Sequence, residues 1–183
     1  MNGSLLLHVC CAPCSTSVLR ELRLQGAKVS GFFYNPNIHP EEEFGKRIEA
    51  LRNYSAKEKL NIMIDSIYDI ELFKKEVESK GGDRCEHCYR LRLERTAHCA
   101  KQNNFSAFTT TILISPYQKH DIVRQVGEEM SKKYDIEFYY QDFRPLYRGS
   151  IDLSKEMGLY RQKYCGCYLS LEEAKNAKNQ NRG

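Results

Sequence analysis

Seven of the chain's eight cysteines fall in three tight groups: Cys10-Cys11-x-x-Cys14, Cys85-x-x-Cys88 and Cys165-x-Cys167. Thiols kept for packing scatter along a sequence, because a buried thiol behaves as a small hydrophobe with no need of neighbours. Short-range pairs instead place two sulfurs on one turn, where they share a metal or form a redox couple. A fold that uses all three groups must carry residues 10, 85 and 165 to one centre, and the function is expected there.

A disulfide framework is the first alternative to weigh. Residues 1 to 9, MNGSLLLHV, are too short for a signal peptide's apolar region plus cleavage site. No stretch approaches the roughly 20 apolar residues needed to span a membrane. A cytoplasmic protein is therefore expected, and clustered thiols there point to metal binding or catalysis rather than disulfide staples. A length of 183 residues fits one domain, able to bury its own core without a metal. The stretch from about 175 to 183 is polar enough to predict disorder.

The order of apolar patterns predicts alternating strands and helices. Leu5 to Val9 reads as a buried strand ending at the first cysteines. A helix capped by Ser15 or Thr16 follows, with Val18, Leu19, Leu22 and Leu24 on one face and Gly26 at its end. Val29 to Tyr34 is a second strand, and Pro40 opens a helix through Phe44, Ile48, Leu51 and Tyr54 with Glu41 to Glu43 at its positive end. Asn61 to Asp65, Ala107 to Ile112 and Ile136 to Tyr140 read as further strands. Helices are expected around Ile70 to Glu78, from Cys85 through Ala100, and over Asp121 to Lys133. Such alternation predicts an α/β fold, a Rossmann-like, mostly parallel sheet with helices on both faces and a helical or irregular C-terminal segment. Ligands of such sheets bind beyond the carboxyl ends of the strands, where Cys10 to Cys14 stand.

Four thiolates from Cys10, Cys11, Cys85 and Cys88 match the ligation of a [4Fe-4S] cluster, and equally that of tetrahedral zinc. One zinc would leave several thiols over, which favours redox chemistry. Cys165-Gly166-Cys167 suits a redox-active dithiol, or with Cys14 a second mononuclear metal such as iron; Gly166 permits the bent backbone that two close sulfurs require. Cys99 stands alone and reads as packing. His8 reads as a satisfied core histidine and His87 as solvent-facing. His120 closes a polar loop, Ser115 to His120, expected at the ligand edge.

A net charge of +4 is too weak alone to claim a nucleic-acid partner. Between Tyr139 and Tyr168, however, seven aromatic residues interleave with Arg144, Arg148, Lys155, Arg161 and Lys163. Aromatics for base stacking and cations for phosphates are what loop or single-stranded RNA recognition uses; a tyrosine-rich core edge is the other reading.

Five motifs taken together resemble the epoxyqueuosine reductase QueH family, the cobalamin-independent one. They are His8-Val9-Cys10-Cys11-Ala12-Pro13-Cys14, Cys85-Glu86-His87-Cys88-Tyr89-x-x-Arg92-Leu93, Ser115-Pro116-Tyr117-Gln118-x-His120, Asp142-Phe143-Arg144 and Tyr160-Arg161-Gln162-x-Tyr164-Cys165-Gly166-Cys167. The resemblance implies an adenine nucleotide alpha hydrolase-like fold in which cysteines replace the usual phosphate-binding loop. It implies removal of the epoxide oxygen of epoxyqueuosine at the tRNA wobble position, with an electron donor that the sequence does not identify. By the same resemblance Cys10, Cys11, Cys85 and Cys88 hold a [4Fe-4S] cluster and Cys165 and Cys167 take a redox role; Cys14 is expected to join them in catalysis. Tyr117, Gln118, His120, Asp142, Arg144, Arg148 and Arg161 are expected at the tRNA-binding mouth, with Asp142 or Tyr117 as proton donor. Two rivals stand beside this reading, a zinc-bearing RNA-binding module and a thiol–disulfide oxidoreductase.

Overall fold

The structure, a computed structural model, describes residues 3–180, with Glu78 and residues 178–180 described by their backbone only. Five parallel strands form one sheet: β1 (Ser4–His8), β2 (Lys28–Phe33), β3 (Ile62–Ile64), β4 (Ala107–Thr110) and β5 (Glu137–Phe138). Their spatial order is β3-β2-β1-β4-β5. The central strand shows why this must be a covered sheet. Leu5, Leu6 and Leu7 are each 0% exposed, so both faces of β1 are buried, and a continuous apolar run replaces the alternation of a one-sided sheet.

The helices are α1 (Ala12–Leu24), α2 (Glu41–Lys57), α3 (Ile70–Phe73), α4 (Arg84–Gln102), α5 (His120–Tyr134), α6 (Tyr147–Glu156) and α7 (Tyr168–Gln180). α1 packs on α6 and α2, while α4 packs on α5. This is the Rossmann-like α/β architecture expected from the sequence.

The topology fixes where a ligand can sit. From β1 the chain winds outward through β2 and β3, then returns to the other side of β1 to lay down β4. His8 of β1 is in register with Thr110 of β4, so the chain leaves both strands at the same level. Beyond those two carboxyl ends lies the crevice where parallel sheets bind ligands. Cys10 and Cys11 follow one strand and Thr111 follows the other.

Several local expectations need correction. α1 begins at Ala12, not after Ser15 or Thr16. Cys11 is its N-cap, with Sγ 3.5 Å from the Cys14 amide, and Pro13 occupies the first turn, where its missing donor costs nothing. Ser15 and Thr16 turn inward, their hydroxyls donating to the Cys11 and Pro13 carbonyls at 2.9 Å each. Leu24 lies outside the apolar face and is 76% exposed. The strand expected to reach Ile112 stops at Thr110, whose hydroxyl accepts from the Ile112 amide at 3.1 Å and starts a 3-10 turn, Thr111–Ile114. Within the polar stretch expected to be disordered, α7 runs to Gln180, and residues 181–183 lie outside the described residues.

Candidate metal and redox site

The Sγ atoms of Cys10, Cys11 and Cys14 all lie within 4.8 Å of one another, with Cys10 and Cys11 3.8 Å apart. Two neighbours hold this nest in place. Thr111 reaches across from the 3-10 turn after β4, its Oγ1 accepting from the Cys10 amide at 2.9 Å and donating to Cys10 Sγ at 3.1 Å. Gln162 donates its Nε2 to Cys11 Sγ at 2.8 Å. The nest shares out its protons unevenly. Hydrogen bonds from Cys11 and Cys14 hold the Cys10 thiol well below its usual range, burial pushes Cys11 up to about 12, and Cys14 is raised by its sulfur neighbours. Of the three thiols, Cys10 is the one whose ionised form the site favours.

Cys85 and Cys88 open α4. Asp83 caps the helix, accepting from the Cys85 amide at 2.9 Å, and Lys119 pairs with Asp83 at 2.6 Å. One turn further, Arg92 is 3% exposed, with Nη1 3.9 Å from Cys88 Sγ. Its charge acts on Cys88, Cys10 and Cys165, and it lines the same cavity as Cys10, Cys14 and Cys165. Arg92 Nε is buried with no acceptor among the described residues. Burial raises the Cys88 thiol to about 12, and the Arg92 charge opposes that rise.

Cys165 is exposed and lines a cavity of about 360 Å³ together with Cys10, Cys14, Thr111 and Arg92. Gln118 holds its Nε2 3.7 Å from Cys165 Sγ, and the Tyr89 hydroxyl in turn fixes Gln118 Oε1 at 2.8 Å. Cys167 is half-buried just ahead of α7, whose Glu173 pairs with Arg84, the neighbour of Cys85 at the start of α4. The C-G-C turn therefore lies beside the α4 pair.

The four-thiol set read from the sequence is not closed. Cys10 and Cys11 group with Cys14, whereas Cys85 and Cys88 stand outside that triad, linked to it through Arg92. The donor set still suits a soft metal or an iron–sulfur group, since thiolates select such centres. A buried arginine nitrogen without an acceptor beside it fits a centre of net negative charge.

Of the expected substrate contacts, Tyr117 and Gln118 line the cavity. His120 does not. It is 6% exposed, with Nε2 3.2 Å from the Leu113 carbonyl and Nδ1 3.4 Å from the Tyr140 hydroxyl, and it braces the loop from behind. Asp142 grips Arg144 in a two-pronged pair at 2.9 and 2.7 Å, which holds its carboxyl down to about 2. A group so firmly ionised is no proton donor near neutrality, which leaves Tyr117 of the two named for that role. Arg148 is exposed on α6 and Arg161 is exposed near Cys14 and Gln162. His8 is the satisfied core histidine expected, its Nδ1 2.9 Å from Thr110 Oγ1. Cys99 is 8% exposed in the core cluster. His87 turns back to the Gly81 carbonyl at 2.9 Å instead of facing solvent freely.

Arg47, Thr111, Tyr147 and Tyr164 line the cavity without having been singled out as site residues. Arg47 carried a signal: it interrupts the apolar face of α2 between Phe44 and Ile48, where a charge needs a reason.

The profile of the family described as epoxyqueuosine reductase QueH matches residues 5–173. An epoxyqueuosine reductase QueH of Dehalococcoides mccartyi is 37% identical over 170 residues, covering 93% of this chain and 93% of its own length. That of Thermotoga maritima is 37% identical over 180 residues, covering 93% and 92%. A predicted subunit of tRNA methyltransferase from Methanocaldococcus jannaschii has a solved structure that superposes with TM-score 0.50 at 14% identity, covering 87% of this chain and 93% of that one. That likeness bears on the fold alone.

Proposed function

The chain belongs to the epoxyqueuosine reductase QueH family, and from that premise we propose that it reduces epoxyqueuosine to queuosine at the wobble position of tRNA. The observation that carries the reading is the arrival of the Cys10/Cys11/Cys14 nest, the Arg92 cation and Cys165 at one cavity beyond the sheet's switch point. No helix among the described residues is long and apolar enough to cross a membrane. A tRNA substrate agrees with a cytoplasmic setting.

Removing an epoxide oxygen to leave an alkene consumes two electrons and two protons and releases one water. Oxidation of the Cys165 and Cys167 thiols to one disulfide supplies two electrons and two protons, so a single dithiol balances the reaction. An external reductant of unidentified kind then restores the pair. An iron–sulfur cluster held at the thiol nest would supply one-electron transfer at the cavity. Its ligands are read as Cys10, Cys11, Cys85 and Cys88, with Cys14 a fifth candidate in contact with the first two. A second metal shared by Cys14 and the C-G-C pair is the alternative use of those three thiols. The chain's own residues do the remaining work. Gln118 orients Cys165, the exposed Tyr117 ring stands at the rim to meet an unstacked base, and its hydroxyl is the proton source within reach of the cavity.

The test is anaerobic purification with iron and sulfide counted per chain, followed by incubation with an anticodon stem-loop carrying epoxyqueuosine and a strong reductant. Mass spectrometry should show loss of one oxygen. Zinc in place of iron, with RNA bound but unchanged, would overturn the proposal in favour of the RNA-binding module. Reduction of protein disulfides without epoxide reduction would favour the oxidoreductase.

A further inference from the structure

The geometry points to Arg47 as the residue that positions Cys165, through a buried guanidinium fork joined to the backbone of the C-G-C turn. This inference rests on the reading of Cys165 as a participant in turnover, and its test includes a readout independent of that reading.

The Arg47 side chain is 2% exposed and all three nitrogens donate to the protein. Nε donates to Glu43 Oε1 at 2.8 Å, Nη1 to the Cys165 carbonyl at 2.9 Å and Nη2 to the Tyr164 carbonyl at 3.1 Å. The next carbonyl, that of Gly166, accepts from the His39 amide at 2.8 Å. Three consecutive carbonyls of the turn are thus anchored to α2 and the loop before it. Gly166 is pressed against the same residues: a Cβ there would lie 3.3 Å from Arg47 Nη1 and 3.0 Å from Asn37 Nδ2, and φ of +145° already disfavours a side chain. Glu43 neutralises the buried cation and is itself bound, its Oε2 accepting from the Tyr160 hydroxyl at 2.5 Å.

Stability alone does not call for this arrangement. A buried ion pair is often matched or bettered by apolar residues of similar volume. What an apolar residue or a lysine lacks is a planar fork that meets two successive carbonyls in fixed geometry. Cys165 projects into the cavity from the backbone thus held, opposite Gln118. With each of its nitrogens bound to the protein and its charge balanced by Glu43, Arg47 acts on the sulfur by holding the backbone that carries it, beside the pull of its charge on Cys165.

Arg47→Lys retains the charge and the partner Glu43 while losing the fork. With the reconstituted enzyme and the modified stem-loop, kcat should fall about 10- to 100-fold, the scale expected for misplacing a reacting atom by about 1 Å, with KM changed less than about threefold. Independently of any turnover, the rate at which a small alkylating agent modifies Cys165, read by peptide mass spectrometry, should shift while that of Cys167 moves less. Wild-type alkylation and kcat in a folded Arg47→Lys protein would overturn the inference. So would a raised KM with unchanged kcat, which would make Arg47 an RNA ligand. Should Arg47→Lys fail to fold, Tyr160→Phe, at a position 38% exposed, frees Glu43 and is read by the same two quantities. A smaller shift of the same kind supports the inference, and none overturns it. If the wild type proves not to reduce the epoxide, the alkylation arm still decides the positioning role.

Discussion

His39 is 2% exposed among Tyr68, Phe73 and Tyr168, with Nδ1 3.3 Å from the Tyr68 hydroxyl and Nε2 without a hydrogen-bond partner among the described residues. Burial, helped by Lys74, lowers its pKa from 6.5 to about 4. Between those values the unfolded chain binds a proton that the folded chain refuses, so unfolding free energy rises with pH there. The contribution is fully present above about pH 6.5 and lost as pH falls towards 4. His39→Phe should flatten the fall in Tm over that window relative to wild type at equal metal loading; parallel curves would show that His39 does not titrate this way. A second prediction separates packing thiols from the nest. Cys14→Ser should lower iron per chain as sharply as Cys10→Ser, and Cys99→Ser should leave it unchanged. Equal losses for Cys14 and Cys99 would show disruption of the fold and not of a site. The cysteine groups were legible because their spacing is local. The partners Thr111, Arg47 and Gln162 come from elsewhere in the chain, so no spacing rule exposes their contacts to those groups; Arg47 left a trace as a charge on an apolar face and Gln162 as a member of the C-G-C motif.

Helices were legible where their apolar stripe was long, as in α2 and α4, and misjudged where chemistry replaced a usual cap. A thiol at the N-cap of α1 competes with Ser and Thr as an expected start, and only the folded chain shows Cys11 taking that role. Strand ends were overrun by one or two residues because apolar patterning continues into the 3-10 turn after β4. The packing of α5 on β5 turns on Gly127, which no periodicity marks. A Cβ there would fall 2.2 Å from Phe138 Cε1, and Phe138 is itself packed at a tilt against Phe108 with ring centroids 5.1 Å apart. Gly127→Ala gains about 1 kcal/mol of helix propensity but overpacks the contact at a cost of roughly 1–3 kcal/mol. The expected outcome is a Tm lower by a few degrees in a thermal melt. A raised Tm would mean that Phe138 swings aside freely.

At the scale of the whole molecule the α/β class was legible because strand and helix patterns alternate, while the strand order was not, since periodicity carries no information about neighbours. That order puts β1 beside β4 and so brings residue 10 to residue 111. It also decides which cations of the 139–168 segment remain available to RNA. Arg144 is committed to Asp142 by its paired hydrogen bonds. Arg148 and Arg161 are exposed, the latter near Cys14 and so at the site's edge. Phosphate contacts release counterions, so each one lost should weaken binding and reduce the salt slope of log K by about 1. Binding of a modified stem-loop, measured across a salt series, should therefore lose slope in Arg148→Ala and in Arg161→Ala, and much less in Arg144→Ala. Should Arg144→Ala alone carry the loss, its pair with Asp142 opens on binding and the RNA path runs along the loop before α6. Should none of the three change the slope, the basic aromatic segment is a core edge and the RNA is held elsewhere.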